Sequence, residues 1–78
     1  MKLEVMAARL KEQRSNAQLT LDEVSKQTGM ARKLVSNLEH CRRPRVSLET
    51  VYRLAEFYEV SIDYLTGRTN EQIEVSLF

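Results

Sequence analysis

An all-α fold built from five short helices is what this 78-residue sequence predicts, and three observations predict it. Apolar residues recur at three- and four-residue spacing through most of the chain, the signature of a helix with one buried face. A Ser or Thr stands immediately before three of those segments (Thr20, Ser47 and Ser61), where its oxygen can accept from the free amides of a first helical turn. Only two glycines and one proline are present, too little turn material for a strand-rich fold.

The first helix is expected over residues 2–15, with Leu3, Met6, Ala7 and Leu10 on its inner face. The second opens after Thr20, and Glu23 three residues on completes a capping box. Gly29 ends it by supplying a left-handed backbone. The third spans residues 32–40 and buries Leu34, Val35 and Leu38. Residues 41–46 form a basic loop, because Pro44 pushes its neighbour out of helical geometry. Ser47 caps the fourth helix, with Glu49 well placed in its first turn and Leu48, Val51, Leu54, Ala55 and Tyr58 facing inward. Ser61 caps a fifth, very short helix through Leu65, and Gly67 stops it. Residues 1–69 are therefore expected to form one domain. The tail, residues 70–78, alternates apolar and polar positions from Ile73, a pattern open to a dimer contact or a frayed end.

Composition narrows the class. Hydrophobic residues make up 42% and charged residues 29%, as in soluble globular domains rather than disordered chains. A chain this short buries only about 60% of the surface its unfolded form exposes, so a partner subunit would help its thin core. One cysteine, Cys41, excludes an internal disulfide, and with His40 as the only histidine no metal site is expected. No carboxylate pair in an apolar setting, nucleophile with a base, or phosphate-cradling glycine loop is present, so neither an enzyme nor a cofactor is expected. No apolar run approaches the ~20 residues of a membrane span, and a cytoplasmic location is the expectation.

Two short helices joined at Gly29 have the sequence form of a helix-turn-helix, whose second helix is sized for a DNA major groove. Val35 and Leu38 turn inward, which leaves Arg32, Lys33, Ser36 and Asn37 outward. The formal charge is only +1, but it is unevenly spread. From Lys26 to Arg45, six cations stand against Glu39 alone, a net +5, whereas the chain from Val46 onward carries −4. A basic stripe centred on the third helix is what phosphate contact requires.

Taken together, these segments resemble the phage-repressor and Cro-type (lambda-repressor-like) helix-turn-helix family, a compact five-helix domain. The resemblance runs from about Met6 to Thr69. Arg9-Leu-Lys-Glu-Gln-Arg14 is similar to the family's first helix. Leu19 to Glu39, with small Ser25 and Gly29, is similar to its helix-turn-helix. Ser47-Leu-Glu-Thr50 and Val60-Ser-Ile-Asp-Tyr-Leu-Thr-Gly-Arg68 are similar to its closing helices. The resemblance implies a DNA-binding transcription regulator, most simply a repressor, acting as a homodimer on a palindromic site of double-stranded DNA. It implies base contacts from Arg32, Lys33, Ser36 and Asn37, and Arg and Asn do match the acceptor and donor patterns of guanine and adenine edges. Phosphate contacts are implied for Thr20, Arg42, Arg43 and Arg45. Arg14 and Glu39 match a family pair that forms a largely buried, structural salt bridge.

Four positions depart from the family pattern. Leu21 replaces a glutamine that braces the third helix, and Ala31 stands at an N-cap where Ser or Thr is usual. Cys41 replaces a glycine after the third helix, in a loop one residue longer than common, and Glu59 ends a helix where Gly or Asn fits more easily. A function of another class is also open: an antitoxin or antirepressor that binds a protein partner through the acidic C-terminal half.

Overall fold

The computed structural model describes residues 3–42 and 45–70. Its regular elements are five helices: α1 (Leu3–Asn16), α2 (Leu21–Thr28), α3 (Arg32–Glu39), α4 (Leu48–Tyr58) and α5 (Ile62–Leu65). All five lie where the sequence places them. The third helix is one residue shorter than expected, because His40 leaves helical geometry and serves as its C-cap.

The expected starts are seen in atomic detail. The Thr20 hydroxyl accepts from the Glu23 amide at 3.1 Å while the Glu23 carboxylate accepts from the Thr20 amide at 2.8 Å. Ser47 and Ser61 accept from the Thr50 and Tyr64 amides in the same way. Ala31, at the start of α3, makes no side-chain cap bond.

The helix ends share one device. Each helix is followed by a residue with left-handed backbone: Gln18, Gly29, Cys41, Glu59 and Gly67. After α1, α3, α4 and α5 two amides then close back on the last turn, as when Glu59 donates to the Glu56 carbonyl and Val60 to that of Ala55. Three of the five positions hold a residue with a Cβ, which the left-handed region disfavours. At Gly29, where φ is 74°, a Cβ would meet only an ordinary contact 3.7 Å away, so it is the backbone angle that favours glycine.

These short helices persist because they share one core. Met6 and Leu10 of α1, Val24 of α2, Val35 and Leu38 of α3, Val51 and Leu54 of α4 and Leu65 of α5 are at most 2% exposed. Each such side chain contributes roughly 1.5–3 kcal/mol through burial. α3 packs on both α1 and α2, while α4 contacts α2 and α5, and α5 contacts α1. One inward assignment is wrong. Leu48 is 70% exposed, because as the first residue of α4 it lies ahead of the turn that meets the core.

Two arginines tie distant segments together. The Arg9 guanidinium lies 4.2 Å from the Tyr64 ring centroid. It donates to the carbonyls of Tyr64 and Thr69 and to Asn70 Oδ1, which pins the described end of the chain against α1. Arg53 of α4 donates to the Thr28 carbonyl at 2.6 Å, at the negative end of the α2 dipole.

Candidate nucleic-acid interface

The pose of α3 is set from its inner side. Val35 and Leu38 are each 2% exposed, and Glu39 is buried beside them. Arg14 donates through Nε to both Glu39 oxygens, at 3.1 and 2.8 Å, and through Nη1 to the Leu19 carbonyl at 3.0 Å. The hydrogen bond to Glu39 raises the Arg14 pKa against the opposing effect of burial, so the guanidinium stays charged. The Tyr58 hydroxyl feels the same pair. Burial pushes its pKa up to about 12, the Glu39 charge adds to that, and Arg14 opposes it.

The outer side of α3 is polar. Arg32 and Lys33 are exposed, whereas Ser36 and Asn37 are half-buried. Arg32 meets Asp22 of α2 through Nε at 2.7 Å, and both side chains remain largely in solvent. Asn37 borders a narrow surface crevice with Leu3, Met6, Leu38, Cys41 and Val46, so it leans toward α1 more than Arg32 and Lys33 do. Its main-chain carbonyl accepts from the Arg42 amide at 2.9 Å, which fixes the start of the basic loop relative to α3.

Arg42 and Arg45 are exposed on that loop, while Arg43 lies outside the described residues, as does the tail from residue 71. Thr20 is exposed at the start of α2. Its amide and that of Glu23 are consumed by the capping box, which leaves the Leu21 and Asp22 amides and the Thr20 hydroxyl hydrogen as donors at this end. Asp22 and Glu23 make the same end acidic, so it is a weaker anion site than a bare helix N-terminus.

Sequence reasoning passed over two polar side chains on this face. His40 is exposed one turn beyond Ser36, and its Nδ1 lies 2.7 Å from the Ser36 carbonyl. A carbonyl only accepts, so Nδ1 carries the hydrogen and Nε2 stays available to an outside partner. The four-residue spacing from Ser36 was the signal. Asp22, ten residues before Arg32, had none, because their meeting depends on the α2–α3 crossing.

The arrangement is that of a probe. A short helix is held by two apolar anchors and a buried ion pair, exposes two cations at its front, and is flanked by further cations. Such a surface has the chemistry to contact phosphates and base edges. Among the described residues no helix is long and apolar enough to cross a membrane. No curated protein shows significant similarity to the chain. The family model of a helix-turn-helix domain matches residues 7–71, from α1 past the end of α5. The chain belongs to this helix-turn-helix family of DNA-binding domains.

Proposed function

We propose that the chain is a sequence-specific transcription regulator of the Cro and phage-repressor type, acting as a repressor and reading the major groove with α3 as a homodimer. The observation that carries this reading is the split of α3. Val35, Leu38 and Glu39 are buried, while Arg32 and Lys33 at the start of α3, and Arg42 and Arg45 on the loop that follows it, stand in solvent. Arg32 and Lys33 are the principal base readers in this reading, with Ser36 and Asn37 at the edge of the contact. Arg42, Arg43, Arg45 and Thr20 hold phosphates. No catalytic role is assigned to any residue.

One α3 spans too few base pairs for useful specificity. Two copies on a two-fold site, with half-site centres about 34 Å apart, supply the rest. Selection from a pool of random duplexes, followed by a salt titration on the winner, tests the proposal. A two-fold symmetric winner whose affinity falls steeply with salt is expected. Enrichment of no sequence, with all duplexes bound alike, would refute sequence reading. A reporter placed behind the selected site tests the sign of regulation, with reduced expression expected.

A second reading has its own observation. Leu48 and Tyr52, four residues apart on α4, are 70% and 48% exposed in the acidic half of the chain. A regulator that also holds a protein partner there would co-purify with it at a fixed mass ratio, and Leu48→Glu would release it.

A further inference from the structure

Asp22 is turned outward in the first turn of α2, beside the half-buried Leu21, which packs against the core. Its Oδ1 lies 2.7 Å from Arg32 Nε, across the glycine turn that joins the two helices. Both side chains are largely exposed, at 60% for Arg32 and 80% for Asp22, and an exposed pair of this kind adds little stability. Its geometry is the informative part. The closest approach is at Nε, which does not lie on the Nη1–Nη2 edge of the guanidinium. That edge is one that grips the O6 and N7 atoms of guanine with two parallel hydrogen bonds.

Arg32 is also the first residue of α3, where the positive end of the helix dipole disfavours a cation and Ala31 supplies no cap. Asp22 offsets that charge and restricts a side chain that otherwise samples many rotamers. From this we propose that Asp22 is a positioning residue for base readout: it braces Arg32 through Nε so that the terminal fork is already aimed at a guanine. The proposal rests on the reading of α3 as the base-reading helix. A carboxylate near the DNA backbone also repels phosphate, so Asp22 lowers affinity for every duplex while sharpening the choice among them.

Two substitutions separate brace from charge. Asp22→Ala and Asp22→Asn remove the same charge, but Asn keeps an oxygen that can accept from Nε. Binding of each is measured on the selected duplex and on a set altered one base pair at a time. Both variants are expected to bind unrelated duplexes more tightly than the wild type. Asp22→Ala is expected to lose about fivefold or more of the preference at one base pair. Asp22→Asn should keep that preference to within about twofold, and in an Arg32→Ala background neither change should alter it. If Ala and Asn shift all duplexes equally with the preference intact, the brace is refuted and Asp22 is only a charge. A wild type without any base preference overturns the sequence-reading proposal itself, a distinct result.

Discussion

Arg14 and Glu39 close the last turn of α1 onto the last residue of α3, and their burial is unequal: 19% exposed for the guanidinium and 2% for the carboxylate. The asymmetry makes the two halves of the pair unequal to lose. Breaking a buried pair costs about 3–5 kcal/mol because one charge is stranded. Arg14→Ala strands the nearly dry carboxylate and also removes the bond to the Leu19 carbonyl, so it should sit at the upper end of that range. Glu39→Ala leaves a guanidinium that can turn toward water, and should sit at the lower end. Urea unfolding of the two variants checks the order. Equal losses would show that the burial difference does not matter.

Arg32→Ala should weaken binding to the selected duplex by about 1–3 kcal/mol and relax preference at one base position, as loss of a two-bond base contact does. Competition binding against single-base variants measures both. An unchanged preference removes Arg32 from the readers, whatever happens to affinity.

Arg45 is exposed on the loop after α3, and in the proposed function its role is electrostatic. Arg45→Ala should weaken all duplexes similarly and reduce the slope of log affinity against log salt by about one. A loss confined to one base position, with the slope intact, would move Arg45 to the base readers.

Glu59 has φ of 56° and ψ of 43° at the end of α4. A left-handed residue with a Cβ carries roughly 1–2 kcal/mol of strain, and glycine forfeits about 0.4–1 of the relief through its freer unfolded chain. Glu59→Gly should therefore stabilise the fold by about 0.5–1 kcal/mol, read from chemical denaturation. A destabilised variant would mean that the Glu59 side chain contributes more than its backbone costs.

Tyr58 gives stability an alkaline limit. Its pKa is raised from 10.0 to about 12, so between those values the unfolded chain loses the phenolic proton before the folded one does. Folded molecules then hold more protons, and stability falls as pH rises through that window. Tyr64, also raised chiefly by burial, acts in the same direction. Tyr58→Phe should flatten much of the decline in thermal midpoint above pH 10 and leave the neutral-pH value nearly unchanged. An identical alkaline decline in the variant would place its origin elsewhere.

How much of this was legible in the sequence depends on how local the physics is. Thr20, Ser47 and Ser61 announced helix starts because a cap and its amide lie three residues apart. Gly29 announced an end for a similar reason. Gln18 announced nothing, although it adopts the same left-handed backbone, because that turn is closed by main-chain bonds from Gln18 and Leu19 that carry no side-chain signature. Leu48 was misplaced because periodicity shows which residues share a face but not where along the helix the core begins.

The interface divides along the same line. The two faces of α3 follow from the order of Val35, Leu38 and the polar residues between them. Asn37 lies on the outer face by helical angle, yet it borders the crevice beside Leu3 and Met6, since α1 crosses at that end. The Arg9 clasp on Tyr64, Thr69 and Asn70 was invisible for the same reason. Those groups are more than fifty residues away, and only the packing of α5 on α1 brings them together.

Ala31 leaves the leading amides of α3 with no side-chain acceptor at the cap. Hydrogen exchange there does not have to wait for global unfolding, since a brief fraying of one turn suffices. In the proposed function, the helix that meets the duplex would thus open its first turn before the fold as a whole does. A duplex that supplies oxygens to those amides would quiet it.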